Sequence, residues 1–212
     1  VSDLVYAVGN GKGAAAGSLL LKVMKPVQSK DLLEPVCEFE LRPDLSPGET
    51  TVSALQRGGV IEGNRLYLIG YAGVKKNDAE KAEPGTFLCV FDIADPLHPK
   101  VLGKTFSREV VPGGALYYGG PGVLDGVLWF WSDTVSEPGG KFAFLCGFDL
   151  KDPAKPVLVT RSRIEPSGAF SYGYTGTVTC FASGYLLLSE YYLGLRLIDI
   201  RDPRSPKLVW KE

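Results

Sequence analysis

FDIADPLHPKVL (Phe91–Leu102), FDLKDPAKPVLV (Phe148–Val159) and IDIRDPRSPKLV (Ile198–Val209) are three copies of one phrase. Each reads apolar, Asp, apolar, any residue, Asp, Pro, two variable positions, Pro, then a largely apolar run. The paired aspartates are Asp92/Asp95, Asp149/Asp152 and Asp199/Asp202, and the prolines are Pro96/Pro99, Pro153/Pro156 and Pro203/Pro206. Proline has a fixed φ and no N–H to give a ladder, so its recurrence at one place predicts a corner between two strands. Aspartate at such a corner accepts nearby backbone N–H groups in an Asx turn. A weaker fourth copy, KDLLEPVCEF (Lys30–Phe39), keeps Asp31 and Pro35 and lacks the first proline.

Upstream of each strong copy lies a second shared element: GNRLYLIG (Gly63–Gly70), DGVLWFWS (Asp125–Ser132) and SGYLLLSE (Ser183–Glu190). Gly-Asn, Asp-Gly and Ser-Gly tolerate positive φ, and with apolar residues on both sides they signal two-residue hairpins. Each unit therefore reads as four strands. The first precedes the turn (near Gly59–Ile61, Gly122–Leu124 and Val178–Phe181), the second follows it, the third ends at the Asp-Pro corner, and the fourth follows the second proline. Four antiparallel strands per roughly 50 residues is the unit of a β-propeller blade. The expected fold is an all-β propeller of about four four-stranded blades in a single domain. The blades run over approximately 1–45, 55–105, 118–160 and 174–212. The first is incomplete, because its hairpin survives only as LVYAVG (Leu4–Gly9) with no strand before it.

The patterns Gly63-Asn64-x-x-Tyr67 and GLRLIDIRDPRSP (Gly194–Pro206) resemble those of the LVIVD-repeat family of bacterial and archaeal β-propellers. The resemblance spans Leu4 to Lys211 and is strongest in the last repeat; Cys89 and Cys146 replace the usual residue three before the Asp in the middle two. It implies a propeller fold and an exported, periplasmic or cell-surface location, and no particular chemistry.

Three arrangements remain open: a compact four-bladed ring, a segment of a larger propeller, or a fan completed by another copy or partner. The last two are favoured, since four blades is the lower limit for a closed propeller. The edge Leu4–Gly9 is expected to be paired by residues beyond this chain, by a partner strand, or by closure against the fourth blade, because buried unpaired backbone groups cost about 1–3 kcal/mol each.

The units differ in one place. From turn to corner, Asn64 to Asp92 spans 28 residues, Gly126 to Asp149 spans 23, and Gly184 to Asp199 spans 15. The surplus falls between the second and third strands, in Tyr71–Gly85, Ser132–Gly140 and Tyr191–Gly194. These loops emerge at the end opposite the Asp-Pro corners, together with the connections Phe106–Gly122 and Ser162–Gly176. Varied loops on a repeated scaffold are where binding is usually placed. The candidate binding face is Tyr117, Tyr118, Tyr172, Tyr174, Trp131, Arg108, Arg163 and Tyr191, side chains that combine rigid area with a polar tip. An alternative acidic site, Glu109, Asp133, Glu165 and Glu190, would suit a carbohydrate-active hydrolase or lyase at the axis.

Other readings fall away. With 23 basic and 24 acidic side chains, the net charge of −1 gives no reason to expect nucleic acid. One histidine, His98, sits at a variable corner position; it removes a multi-histidine metal site and an ordinary Ser-His-Asp or Cys-His pair. VYAVGNGKGAAAG (Val5–Gly17) looks like a dinucleotide fingerprint, but a strand-forming LLLKVM follows where a helix is needed. The recurring aspartates lack the alternating acidic loop of a calcium site. No apolar run reaches the ~18 residues of a membrane span. No metal or cofactor is expected. The reading that results is a non-catalytic interaction module, leaning away from an enzyme, that binds a protein or glycan and belongs to a larger assembly. Cys37, Cys89, Cys146 and Cys180 show no CxxC spacing and are expected to be free thiols. Thiol titration of denatured, unreduced protein should therefore find free groups, and finding none would sink this assignment.

Overall fold

The computed structural model describes residues 4–9, 18–27, 32–41, 49–76, 81–110, 121–132, 136–137, 140–141, 144–163, 177–181, 183–190 and 194–212. Among them every regular element is a strand, and no helix long and apolar enough to cross a membrane occurs. The first sheet joins β1 (Val5–Gly9), β2 (Leu19–Val27) and β3 (Leu32–Leu41). The second joins β4 (Thr50–Glu62), β5 (Arg65–Lys75), β6 (Glu83–Asp92) and β7 (Lys100–Ser107) in chain order. The third contains β8 (Gly122–Leu124), β9 (Val127–Ser132), β12 (Phe144–Asp149) and β13 (Val157–Arg163). Between β9 and β12 lies a two-stranded ribbon, β10 (Ser136–Glu137) with β11 (Gly140–Lys141). The fourth sheet runs β14 (Thr177–Phe181), β15 (Tyr185–Glu190), β16 (Gly194–Asp199) and β17 (Lys207–Lys211). All pairings are antiparallel between consecutive strands of a sheet. The sheets do not close on themselves.

Strand alternation builds the core. Along β5, Leu66 and Leu68 join Leu19 and Leu21 of the first sheet, while Tyr67 and Ile69 join Phe130, Cys146 and Phe148 of the third. Along β9, Leu128 and Phe130 face the second sheet, and Trp129 and Trp131 pack with Leu186 and Ile198 of the fourth. Period-two side chains thus make each central sheet apolar on both faces, and the four sheets stack in chain order. The first strands are also neighbours: β8 contacts both β4 and β14.

The corners form as their residues predict. The first Asp of each corner accepts the N–H two residues on: Asp92 Oδ1 from Ala94 (2.8 Å), Asp149 from Lys151 (2.9 Å) and Asp199 from Arg201 (3.0 Å). The second does the same: Asp95 from Leu97 (3.1 Å), Asp152 from Ala154 (3.0 Å) and Asp202 from Arg204 (3.0 Å). Each corner is then stitched to the hairpin turn beside it. The N–H groups of Ile93, Leu150 and Ile200 each donate at 2.8 Å to the carbonyls of Asn64, Gly126 and Gly184. Those turns need positive φ, found at Gly63 (55°), at Asp125 (52°) with Gly126 (73°), and at Ser183 (81°) with Gly184 (76°). A bulge recurs two residues before the first corner Asp, at Val90/Phe91, Gly147/Phe148 and Leu197/Ile198.

Two details depart from the sequence reading. Pro35 is not a corner residue; it lies within β3 opposite Met24, and the β2–β3 ladder continues through Lys25↔Glu34 to Val27↔Leu32. A Lys25–Glu34 ion pair of 2.7 Å occupies the place where the other sheets carry the corner aspartate. The segment Tyr71–Gly85 is largely strand rather than loop, because β5 and β6 stay paired from Tyr71↔Thr86 to Val74↔Glu83. Ala72 and Val74 are buried there, and Gly73 leaves room for Ser53 Oγ, which a Cβ would approach to 2.8 Å.

His98 is an exposed corner residue, its Nδ1 2.8 Å from Asp95 Oδ2, and this contact holds the Asp95 carboxyl below its ordinary range. Cys37, Cys89 and Cys146 are free; burial pushes the Cys89 thiol up to about 12 and raises Cys146 as well. The Asp199 carboxyl, bonded by the Arg201 guanidinium and then by its N–H, is pulled down to about 2. The unfolded carboxyl titrates near ~3.9, so this group's stabilising contribution is complete above about pH 4 and is lost as pH falls toward 2. Replacing Asp199 with Asn keeps the turn acceptor and removes the charge. The stability gap between wild type and Asp199→Asn should shrink as pH drops through that window, measured by denaturant unfolding. A gap that stays constant would contradict the linkage.

Candidate functional site

The stitching of corners to hairpin turns places both at one end of every complete sheet, and the variable segments at the other. At that variable end the described residues form an ordered surface around Arg108, just after β7. Its Nε donates to Glu83 Oε2 at 2.5 Å, and its Nη2 donates to Glu49 Oε1 at 2.7 Å. Glu83 opens β6 and Glu49 precedes β4, so one guanidinium ties three strand ends together. The guanidinium carbon also sits 5.2 Å from the centre of the Phe106 ring. Hydrogen bonds donated to Glu49 first and Glu83 second raise the Arg108 pKa and keep it charged. The segment is anchored below by Thr86, whose buried hydroxyl donates at 2.9 Å to the carbonyl of buried Val110.

A second arginine–aromatic pair occurs at the same end of the third sheet. The Arg161 guanidinium carbon lies 3.8 Å from the centre of the buried Phe144 ring. Cation–π pairs of this kind hold a flexible side chain flat against a face.

Among the residues singled out in the sequence, Arg108 lies at the centre of this network. Arg163 ends β13 and is exposed. Glu109 is exposed and its N–H donates to Ser107 Oγ at 3.2 Å. Trp131 is not on the surface: it is 2% exposed between the third and fourth sheets, where period-two alternation sends it inward with Trp129. Glu190 is described through its backbone alone, opposite Gly194 at the end of β15. Tyr117, Tyr118, Tyr172, Tyr174, Tyr191, Asp133 and Glu165 lie outside the described residues. Glu49, Glu83 and Phe106 were not singled out. Phe106 and Glu83 sat inside the variable segments already marked, whereas Glu49 meets Arg108 across 59 residues with no local pattern to announce it. Among the described residues no group of three or more His, Cys, Asp or Glu side chains could hold a metal ion.

No protein-family model matches the chain, and no curated protein matches it. Among solved structures it is similar to a "putative hydrolase" from Bacteroides ovatus ATCC 8483, at 10% identity and a TM-score of 0.34, over 99% of this chain and 70% of that one. A likeness so distant carries no argument about what this chain does.

Arg108 and Glu49 are 40% and 12% exposed at their side chains, so their pairing is only partly screened. A double-mutant cycle with Arg108→Ala and Glu49→Ala should give a coupling of about 0.5–1 kcal/mol. It should fall when salt is raised to roughly 1 M. A coupling indistinguishable from zero at low salt would show the contact to be incidental.

Proposed function

We propose that this chain is a β-propeller interaction module of the LVIVD-repeat kind, which binds a protein or glycan without catalysing a reaction. The binding surface is the loop-bearing end, and the module serves as a subunit of a larger exported or cell-surface assembly. The observation that carries this reading is the contrast between the two ends of the sheets. One end repeats the same carboxylate-to-backbone bonds three times. The other varies in length from unit to unit and holds Arg108 over Phe106 and Arg161 over Phe144. Flat, pre-ordered arginine and aromatic faces contribute to recognition because little side-chain freedom is lost on binding. The propeller itself is supported by the stacked four-stranded sheets with β8 between β4 and β14.

The test is a screen of the intact chain against arrayed glycans and, by cross-linking, against extracellular proteins of the source cell. A ligand found this way should lose at least about tenfold affinity in a Tyr117→Ala, Tyr118→Ala, Tyr172→Ala, Tyr174→Ala variant whose melting temperature is unchanged. Turnover of an arrayed glycan, abolished by Glu109→Gln or Glu165→Gln, would overturn the non-catalytic reading in favour of a hydrolase or lyase.

A further inference from the structure

The hairpin turn of the third sheet holds a reactive pair that the other turns lack. Asp125-Gly126 is the one Asp-Gly dipeptide in the chain, and it forms the two-residue connection between β8 and β9, with Leu124 opposite Val127. Ring closure at an aspartate needs a carboxyl not tied elsewhere and a following backbone nitrogen that carries a proton. That nitrogen must also be able to swing onto the carboxyl carbon. The six corner aspartates fail on these counts. Asp95, Asp152 and Asp202 precede prolines, whose nitrogens have no proton to give up. Asp92, Asp149 and Asp199 precede buried Ile93, Leu150 and Ile200, whose N–H groups are committed at 2.8 Å to the adjacent turns. Their own Oδ1 atoms are occupied by the N–H two residues on.

Asp125 meets every condition. Its side chain is exposed and makes no hydrogen bond or ion pair among the described residues. Gly126 is exposed too, and even a Cβ built on it would meet nothing within 4 Å. The backbone supplies the rest. Asp125 at φ 52° and Gly126 at φ 73° are the pair of positive angles that a type I′ turn requires. Closing a five-membered ring brings Cβ and the next nitrogen to the same side of the Cα–C bond. For an L-residue that means ψ near about −120°, the value at the first central position of a type II′ turn, where φ stays near about +60°. Passing from one turn to the other flips the Asp125–Gly126 peptide plane and leaves the φ of Asp125 where it is. The second sheet shows that the flipped form fits the same frame. There Gly63 has a positive φ and Asn64 does not, the II′ pattern, and the Asn64 carbonyl still accepts the Ile93 N–H at 2.8 Å.

We propose that Asp125 is a site of spontaneous covalent modification, at which the turn isomerises through a cyclic imide. The Gly126 nitrogen attacks the Asp125 carboxyl carbon, and the nitrogen's proton and the carboxyl hydroxyl leave as water. Water then reopens the ring. Addition at the side-chain carbonyl restores aspartate. Addition at the main-chain carbonyl leaves an isoaspartyl linkage, in which the chain runs through the side-chain carbons and the former main-chain carbonyl becomes a free carboxylate. That exposed carboxylate is the group an isoaspartyl carboxyl methyltransferase esterifies. The site lies at the hairpin-turn end and does not rest on the loop-face reading.

The experiment ages the folded, intact chain in warm neutral buffer, digests it with trypsin and maps peptides of equal mass and altered retention. Asp125 travels on Glu109–Lys141 with Asp133, whereas Asn10-Gly11, which gains mass on deamidation, is released on Val1–Lys12. Glu109–Lys141 should acquire an isomer that accepts a methyl group from an isoaspartyl methyltransferase. Its rate of appearance should exceed that in any peptide bearing a corner aspartate by about tenfold or more. Asp125→Ser removes the carboxyl and installs the residue that the fourth sheet already uses at the matching turn position, Ser183 with φ 81°. This variant should fold and show no isomer in Glu109–Lys141. The proposal is overturned if Asp125 isomerises no faster than the corner aspartates. It is also overturned if the isomer persists in Asp125→Ser, which would move the reaction to Asp133.

Discussion

A carboxylate accepting the N–H of the residue two places on is the interaction from which the rest of this fold is organised. It is made by all six aspartates of the three Asp-Pro corners, at 2.8–3.1 Å. The corner needs it because the two prolines cannot contribute N–H groups, and the turning backbone would otherwise be left to water. Once the corner is fixed, the residue after the first Asp points its N–H at the adjacent hairpin turn and its side chain into the core. Ile93, Leu150 and Ile200 are 9%, 3% and 5% exposed. One short motif therefore sets strand direction, register and the depth of a core residue together. A net contribution of about 0.5–1.5 kcal/mol per bond is modest singly, and the repetition makes it decisive.

What could be read in advance follows from that locality. Asx acceptors, prolines and Gly-containing turns act over four or five residues, so the strand boundaries near them emerged from the sequence. Elements fixed by distant partners did not. The early half of β4, from Thr50, carries two register shifts and owes its strand form to pairing with Tyr71–Lys75. That partner was itself obscured by Gly73 and the lysines that follow. Pro35 was misassigned because a proline in an edge strand and a proline at a corner look alike without the ladder. At the candidate site, Arg108 was legible as a loop arginine, whereas its clamp by Glu49 and Glu83 arises only when three strand ends meet. Trp131 was misjudged for the opposite reason: its strand was correct, and simple alternation from Trp129 already sent it inward.

The three interfaces between sheets are not equivalent. Cys89 and Cys146 occupy the position three before the corner Asp and are wholly buried in apolar clusters. In the fourth sheet that position is Arg196, 4% exposed. In the cluster between the third and fourth sheets the indole N–H groups of Trp129 and Trp131 are buried with no acceptor among the described residues. A buried donor left unmatched costs about 1–3 kcal/mol.

Gly103 sits four residues past the corner of the second sheet, opposite Val90, and a Cβ there would lie 2.3 Å from the carbonyl oxygen of Pro153 in the next sheet's corner. The corresponding residue of the third sheet, opposite Gly147, is Thr160. The repeats are thus alike in plan and unlike in fit. A copy of the third unit placed second would drive a threonine into a neighbour's backbone. Duplication can have supplied such units, but shuffling them afterwards would be blocked by steric memory of their original neighbours.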